Sequence, residues 1–537
     1  MHEDSAVVPK TKREDGLEQV AAFPPLKAQG EEHPAALVFS SFNGTRYLFD
    51  SATSTLHPWP WGVEGPALDC LYATPDGDLP AFTDSIGAPP ALARYVRLWR
   101  DQAGAFGRYL MADSPSVAPK QAPVVQGVWP SLMANLILVV TDACNLRCRY
   151  CILGGTYEGF KPLREQAMSW ETAKAAIDHF IALNRGPAFE AMPGRKINIS
   201  FFGGEPMLRG DLIQQAVAYA KAQQRPECGY WIDFGLTSNL THLPDKLAAF
   251  LAKHEVGVQV SLDGPAEEHD ACRVNAAGRG SFARVRRNLQ KLRTLDPAYF
   301  ERCVRSVVTI NGNSDLRALH EFFESGDPLV PRISFVGLVR DLERSEYHRR
   351  YPFDSGRLWG QYAQLMDEYR RRKRAGIPIG KGEFLYRLFE DGLHALRGRL
   401  MHAGARKQPA YTGTCMPGRR LAVSTDGRFH MCERINEKFP IGDVHTGVDW
   451  PRTAALLQRY YDALPNCDNC WAKPICGTCM ANNCQDDAFE FGARCKRLRA
   501  ELEHRLVLFC TVLEENPAAL DDGDALVEET CYLEPVS

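Results

Sequence analysis

From position 136 onward, short runs of apolar, β-branched residues alternate with longer stretches in which apolar positions recur every three or four residues. The short runs predict strands at 136–141, 197–202, 231–237, 257–262, 304–310 and 333–336, with helices between them. The first helix is the best marked. Ser169 is placed to cap its N-terminus, and Ala173, Ile177, Phe180 and Ile181 share one face. Strand–helix alternation of this kind builds a parallel sheet or barrel, whose chemistry gathers at the C-terminal ends of the strands.

The flanks read differently. Residues 1–35 are rich in charge, Pro and Gly without apolar periodicity and predict a mobile arm. At 37–49, Asn43-Gly44 separates two apolar runs, a hairpin signal, and Leu92, Tyr95, Val96 and Trp99 then repeat at helical spacing. Residues 36–115 therefore read as a small α+β module, followed by a Pro-rich linker at 115–130. The barrel is placed at 131–340, a helical connection at 341–413, a Cys-rich unit at 414–500, and a C-terminal helix with an acidic tail at 501–537. That tail carries Asp521, Asp522, Asp524, Glu528 and Glu529 and reads as disordered and solubilising. The basic run Arg370-Arg371-Arg372-Lys373-Arg374 reads as a solvated helix end, where cations complement the helix dipole.

A chain of 537 residues is too long for one compact domain. Its net charge of −3 gives no electrostatic reason to expect nucleic acid or an anionic membrane as partner. The N-terminus lacks a basic segment followed by an apolar one, and the longest apolar run, near Leu136 to Val140, is too short to span a bilayer. A cytoplasmic protein is expected. In a reducing compartment its 17 cysteines are more plausibly metal ligands than disulfide partners. Cys70, Cys228, Cys272, Cys303, Cys510 and Cys531 are scattered and read as small, mostly buried hydrophobes.

The remaining cysteines form two groups. Cys144, Cys148 and Cys151 lie on the loop that follows the first strand, in Thr141-Asp142-Ala143-Cys144-Asn145-Leu146-Arg147-Cys148-Arg149-Tyr150-Cys151. Three thiolates can hold three irons of a four-iron cluster and leave the fourth open to a cofactor or substrate. This C-x3-C-x2-C loop resembles the radical S-adenosylmethionine (SAM) superfamily. The resemblance implies a partial (β/α)6 barrel and a [4Fe-4S] cluster whose open iron binds S-adenosyl-L-methionine. It also implies a 5′-deoxyadenosyl radical that removes a substrate hydrogen. It assigns Gly203-Gly204-Glu205-Pro206, at the end of the second strand, to the SAM amino group. Ser238, Asn239 and Ser261, at later strand ends, fall near the ribose and carboxylate, and Tyr150 near the adenine. Without the resemblance, the same residues are ordinary turn and cap chemistry.

The late cysteines resemble the SPASM type of auxiliary-cluster domain, which usually holds two four-iron clusters. Cys467, Cys470, Cys476 and Cys495 match the outer cluster, and Cys415, Cys432 and Cys479 match three ligands of the inner one. Two departures stand out. Cys476 and Cys479 are separated by two residues where the family has three, and the usual cysteine shortly after Cys415 is absent. Cys484 is then a candidate fourth ligand; alternatively that cluster keeps an open iron. Structural zinc is the competing reading of the C-x2-C pairs. Glu433 follows Cys432 directly, as a catalytic acid does in enzymes that make formylglycine, and is a candidate base; the alternative is an exposed surface acid.

Radical SAM enzymes with this kind of tail mostly act on peptides. Members that mature sulfatases generally begin close to the cluster loop, whereas here about 130 residues precede it, with a hairpin whose edge suits strand addition by a peptide leader. That arrangement and the Ile441-Gly442-Asp443 run resemble ribosomal-peptide maturases that make thioether or carbon–carbon cross-links. The expected partners are a precursor peptide and a reductant such as flavodoxin or ferredoxin. The alternatives are formylglycine formation and, in another class, an iron–sulfur or zinc scaffold.

Overall fold

The computed structural model describes residues 36–51, 54–63, 67, 70–71, 74–97, 134–154, 162–185, 196–224, 231–339, 346–402, 420–434, 437–465, 467, 470–485, 487–491 and 494–521. The expected arm at 1–35, the Pro-rich linker, Trp99, Cys228, Cys415, Cys531 and the acidic tail beyond Asp521 lie outside the described residues.

Three strands form the N-terminal sheet: β1 (Ala36–Ser40), β2 (Arg46–Asp50) and β3 (Thr55–Pro58), paired antiparallel in that order. The Asn43-Gly44 turn is where the sequence places it, with Gly44 at φ +87, within a five-residue connection from Ser41 to Thr45. Alternate residues of β1 and β2 serve two cores. Leu48 and Val38 pack on Trp59, Leu79, Leu92 and Val96 of the same module, while Leu37, Phe39 and Phe49 pack on Trp471, Leu506 and Val507 far along the chain. The module is thereby fastened to the C-terminal helix Arg494–Glu515, and Tyr47 adds a hydroxyl bond to Glu514 at 2.7 Å.

The barrel strands are β4 (Asn135–Thr141), β5 (Lys196–Gly203), β6 (Trp231–Ser238), β7 (Gly257–Ser261), β8 (Val304–Ile310) and β9 (Ile333–Leu338), all parallel and in chain order across the sheet. Ser169 caps the helix Trp170–Leu183, accepting the Thr172 amide at 3.1 Å. The sheet does not stop at β4. β10 (Arg420–Val423) pairs parallel to β4 with Ala422 opposite Ile137, and β11 (Arg428–His430), β12 (Gly442–Asp443) and β13 (Gly447–Val448) extend it antiparallel to ten strands. Leu421, Val423, Phe429, Met431 and Ile441 share the barrel's own core. The Cys-rich region is therefore built onto the barrel edge.

Three expectations need correction. Arg370–Arg374 does end a helix, Ser355–Arg374, but it is not a solvated end. Arg370 and Arg374 both pair with Glu515, Arg372 bridges Glu324 and Glu383, and the buried Lys373 pairs with Glu390 at 3.0 Å. Among the scattered cysteines Cys272 and Cys510 are buried as expected, but Cys70 is exposed. Cys303 is buried yet disulfide-bonded. No helix of the described residues is long and apolar enough to cross a membrane.

Candidate functional site

The loop after β4 is gripped from two sides. The Gly204 and Glu205 amides donate to the carbonyls of Thr141 and Ala143, both at 2.8 Å. On the other flank the Arg147 and Arg149 amides donate to the Val274 and Cys272 carbonyls at 2.7 and 3.0 Å. The grip explains the two glycines. A Cβ on Gly203, which has φ +147, would lie 2.2 Å from the Thr141 carbonyl oxygen, and one on Gly204 equally close to that of Ala143. What the missing side chains admit is the cysteine loop itself.

Cys144, Cys148 and Cys151 line a cavity of about 240 Å³ at the mouth of the barrel strands. Burial pushes the Cys144 thiol up to about 11 and Cys148 up to about 12; the charge of Cys151 raises both, and that of Cys144 raises Cys148. Ionising such thiols is costly unless a cation receives them, which is the property of a metal-binding set. Sulfur acceptors are also satisfied: the Leu146 amide donates to Cys144 Sγ at 3.4 Å and Asn239 Nδ2 donates to it at 3.7 Å. Among the described residues no three His, Cys, Asp or Glu side chains converge on a single ion. A four-iron cube spreads its thiolates more widely than one ion does.

Gly203, Gly204, Glu205, Ser238, Asn239 and Ser261 line the same cavity. The Glu205 carboxylate is spoken for within the protein. It accepts the Ser238 hydroxyl, the Asn239 amide and the Met207 amide at 2.7, 2.7 and 3.0 Å, and burial raises its pKa. Three donors thus converge on this carboxylate from within the protein, and the Asn239 side chain is likewise engaged, its Oδ1 accepting the Thr241 amide and hydroxyl at 2.9 and 2.7 Å. Leu240, next along, has φ +52, a left-handed conformation uncommon for Leu, held by its amide bond to Ser238 Oγ at 2.8 Å. Tyr150 also lines the cavity, with its hydroxyl donated to Asp263.

Asp263 leads to a group that the sequence reading passed over. Arg273 donates to it from Nε at 2.7 Å and Nη2 at 3.3 Å, the Thr309 amide donates at 2.9 Å, and the guanidinium lies 5.3 Å from the Tyr150 ring centroid. Both members of this pair are buried, and Arg273 reaches the cavity wall, where it lowers the pKa of Cys148 and Cys151. Asp263 was visible in the Asp-Gly-Pro turn; nothing local marked Arg273.

The opposite wall comes from the Cys-rich region: Ala422, Ser424, His430, Cys432, Glu433 and Glu437. Cys432 donates its thiol proton to Glu433 Oε2 at 3.2 Å, and Arg420 and Arg434 lie 3.9 and 3.6 Å from that carboxylate. Glu433 is only 9% exposed, so the surface-acid alternative does not describe it. Asp142 ties the two walls together through the Thr425 hydroxyl at 3.0 Å.

Cys467, Cys470, Cys476 and Cys495 come together, for the charge of the other three raises the Cys467 thiol, which burial pushes up to about 11. Cys479 opens the short helix Met480–Asn483, and Cys484 is buried in an apolar group with Met480, Phe489 and Phe491.

Comparison with known proteins places this geometry. Residues 138–322 match the radical SAM superfamily, and this part of the chain is a radical SAM domain. The chain is 26% identical over 353 residues to the cysteine-type anaerobic sulfatase-maturating enzyme of Clostridium novyi, covering 64% of this chain and 86% of that protein. It is 28% identical over 142 residues to the radical SAM cyclopropyl synthase TigE of Paramaledivibacter caminithermalis, covering 25% of this chain and 27% of that one. Several relatives are matched over less than two thirds of their own length. Among solved structures, anSMEcpe with bound AdoMet and the Kp18Cys peptide superposes with a TM-score of 0.53 at 18% identity, over 71% of this chain and 99% of that one. The shared fold is the radical SAM α/β fold, one that binds a [4Fe-4S] cluster and S-adenosylmethionine.

Proposed function

We propose that this protein is a cytoplasmic radical SAM maturase that installs an oxidative cross-link, thioether or carbon–carbon, in a ribosomally made precursor peptide. The observation that carries this reading is the shared cavity: Cys432 and Glu433 form one wall, and Cys144, Cys148 and Cys151 the other. Cys144, Cys148 and Cys151 would hold a cluster, and the chemistry it would supply with S-adenosylmethionine is one-electron reduction and a carbon-centred radical. The Gly203-Gly204 backbone, Ser238, Asn239, Ser261 and Tyr150 orient the cofactor, with Glu205 and Pro206 fixing that wall. Glu433 takes the substrate proton. Cys415, Cys432 and Cys479, with Cys484 as the candidate fourth ligand, would hold an inner auxiliary cluster, and Cys467, Cys470, Cys476 and Cys495 an outer one; such clusters would supply an acceptor for the second electron of an oxidation. Peptide binding by the structural neighbour anSMEcpe supports a peptide substrate, and β3, an edge strand of the N-terminal sheet, offers a leader a place to add.

Formylglycine formation is the second reading, favoured by the alignment with the Clostridium enzyme over 64% of this chain. Mass spectrometry separates the two. Short peptides encoded beside the gene and a sulfatase-motif peptide are each incubated with reconstituted enzyme and SAM. Loss of two hydrogens with no aldehyde supports the cross-link; a hydrazide-reactive aldehyde on the sulfatase peptide alone overturns it.

A further inference from the structure

His430 ends β11 and is only 5% exposed, yet neither of its ring nitrogens has a hydrogen-bond partner among the described residues. The Phe439 backbone faces the ring but stands outside hydrogen-bonding geometry. His269 makes the contrast. That ring is also buried, but Nδ1 accepts the Asp263 amide at 3.4 Å and Nε2 bonds Ser281 Oγ at 2.9 Å. A buried polar group left without a partner costs about 1–3 kcal/mol, so such an exception asks for a ligand or an ion.

His430 lines the cavity wall together with Cys432, two residues further on. The acids of that wall do not bond the imidazole: Glu433 is held by Arg420 and Arg434, and Glu437 pairs with Arg428 at 3.4 Å. The nearby sulfur is the remaining clue. Cys415, Cys432 and Cys479 leave the fourth position of a four-iron cube to be filled. Cys484 lies opposite Phe489 in a short antiparallel pair, buried with Met480 and Phe491, and does not line the wall that carries Cys432. Imidazole ligates metals in its neutral form, one nitrogen on the metal and the other N–H turned to a backbone carbonyl, which fixes the tautomer. Cys432 in the same wall and the Phe439 backbone offer His430 these two surroundings.

We propose that His430 is a nitrogen ligand of the iron–sulfur centre of Cys432, in the fourth position beside Cys415, Cys432 and Cys479. The proposal rests on the reading of Cys432 as a cluster ligand. The ring binds iron through a nitrogen lone pair, and no electron is transferred in binding. A neutral imidazole in place of a thiolate leaves a cluster one unit less negative, which raises its reduction potential. The positive charges of Arg420 and Arg434, which favour the Cys432 thiolate, act in the same direction. Such a centre is the easier to reduce and the better fitted to take an electron from an oxidised substrate.

The test reads the magnetism of the cluster rather than turnover. The full-length triple Ala variant of Cys144, Cys148 and Cys151 is reconstituted anaerobically with iron and sulfide, reduced, and studied by pulsed EPR with and without heavy-nitrogen labelling of its histidines. A strongly coupled nitrogen should be present and should change on labelling. Adding H430C, which offers a thiolate instead, should keep the iron content, abolish that coupling and lower the midpoint potential; adding H430A should abolish the coupling as well. The first measurement leaves His430 in place, so it stands even where a variant folds poorly. Absence of a histidine-sensitive coupling, with iron for both auxiliary clusters bound, overturns the proposal, as does a coupling that survives in H430C. If instead C432A leaves the iron content and spectrum of the triple variant unchanged, the reading of Cys432 as a ligand fails, and the proposal with it.

Discussion

The hydroxyl of Ser238 donates to the buried carboxylate of Glu205 at 2.7 Å, joining the ends of β5 and β6 directly beneath the cysteine loop. Because the Asn239 and Met207 amides converge on the same carboxylate, three backbone and side-chain groups take their positions from one residue. Glu205→Gln should preserve the volume but set an amide N–H against these donors, weakening SAM binding about tenfold. Glu205→Ala should also cost about 2–4 kcal/mol of stability, since buried donors lose a charged acceptor. Isothermal titration with SAM and urea unfolding check the two effects. Unchanged SAM affinity in the Gln variant would count against the hub.

Gly204→Ala should displace the cysteine loop, because the new Cβ has no room against the Ala143 carbonyl. The expected result is loss of the iron bound at Cys144, Cys148 and Cys151, with the outer thiol group still loaded. Iron and sulfide content per chain, compared with wild type, measures it. Full iron content together with wild-type SAM cleavage would contradict the steric argument.

Replacing Cys144, Cys148 and Cys151 together with Ala should abolish formation of 5′-deoxyadenosine while leaving iron in the Cys-rich region. Zinc in place of that residual iron, with no iron–sulfur absorption, would remove the auxiliary clusters from the proposal but not the radical SAM domain.

Three buried histidines set an acid limit. Burial lowers His269, His430 and His504 each to about 4 from an ordinary 6.5. For His269 the neutral form is also specified: Nδ1 accepts the Asp263 amide at 3.4 Å, leaving Nε2 to donate to Ser281 Oγ at 2.9 Å. A folded-state pKa below the unfolded one means that the unfolded chain binds protons first. The contribution is therefore complete above pH 6.5 and is lost as pH falls toward 4. Urea midpoints measured between pH 7 and 4 should fall, and His269→Gln should reduce the slope by about one third. A flat profile in the wild type would show that the histidines do not control acid stability.

Much of this protein was legible along the chain. The six barrel strands, the Ser169 cap and the Asn43-Gly44 turn depend on near neighbours, so residue period and local backbone preference suffice to place them. The thiols of the first loop and Gly203-Gly204 are likewise contiguous motifs, and their presence in one cavity follows from each ending a neighbouring parallel strand. Tertiary structure decided what depends on distant partners. β10 joins β4 across 280-odd residues, which brings Cys432 and Glu433 into the cavity wall. Lys373 and its arginine neighbours looked like a solvated helix end until Glu390, Glu383, Glu324 and Glu515 arrived from four other segments. Arg273 carried no local signal at all. A buried ion pair is specified by the desolvation that each charge would suffer alone, and which carboxylate relieves it is a property of the packed chain.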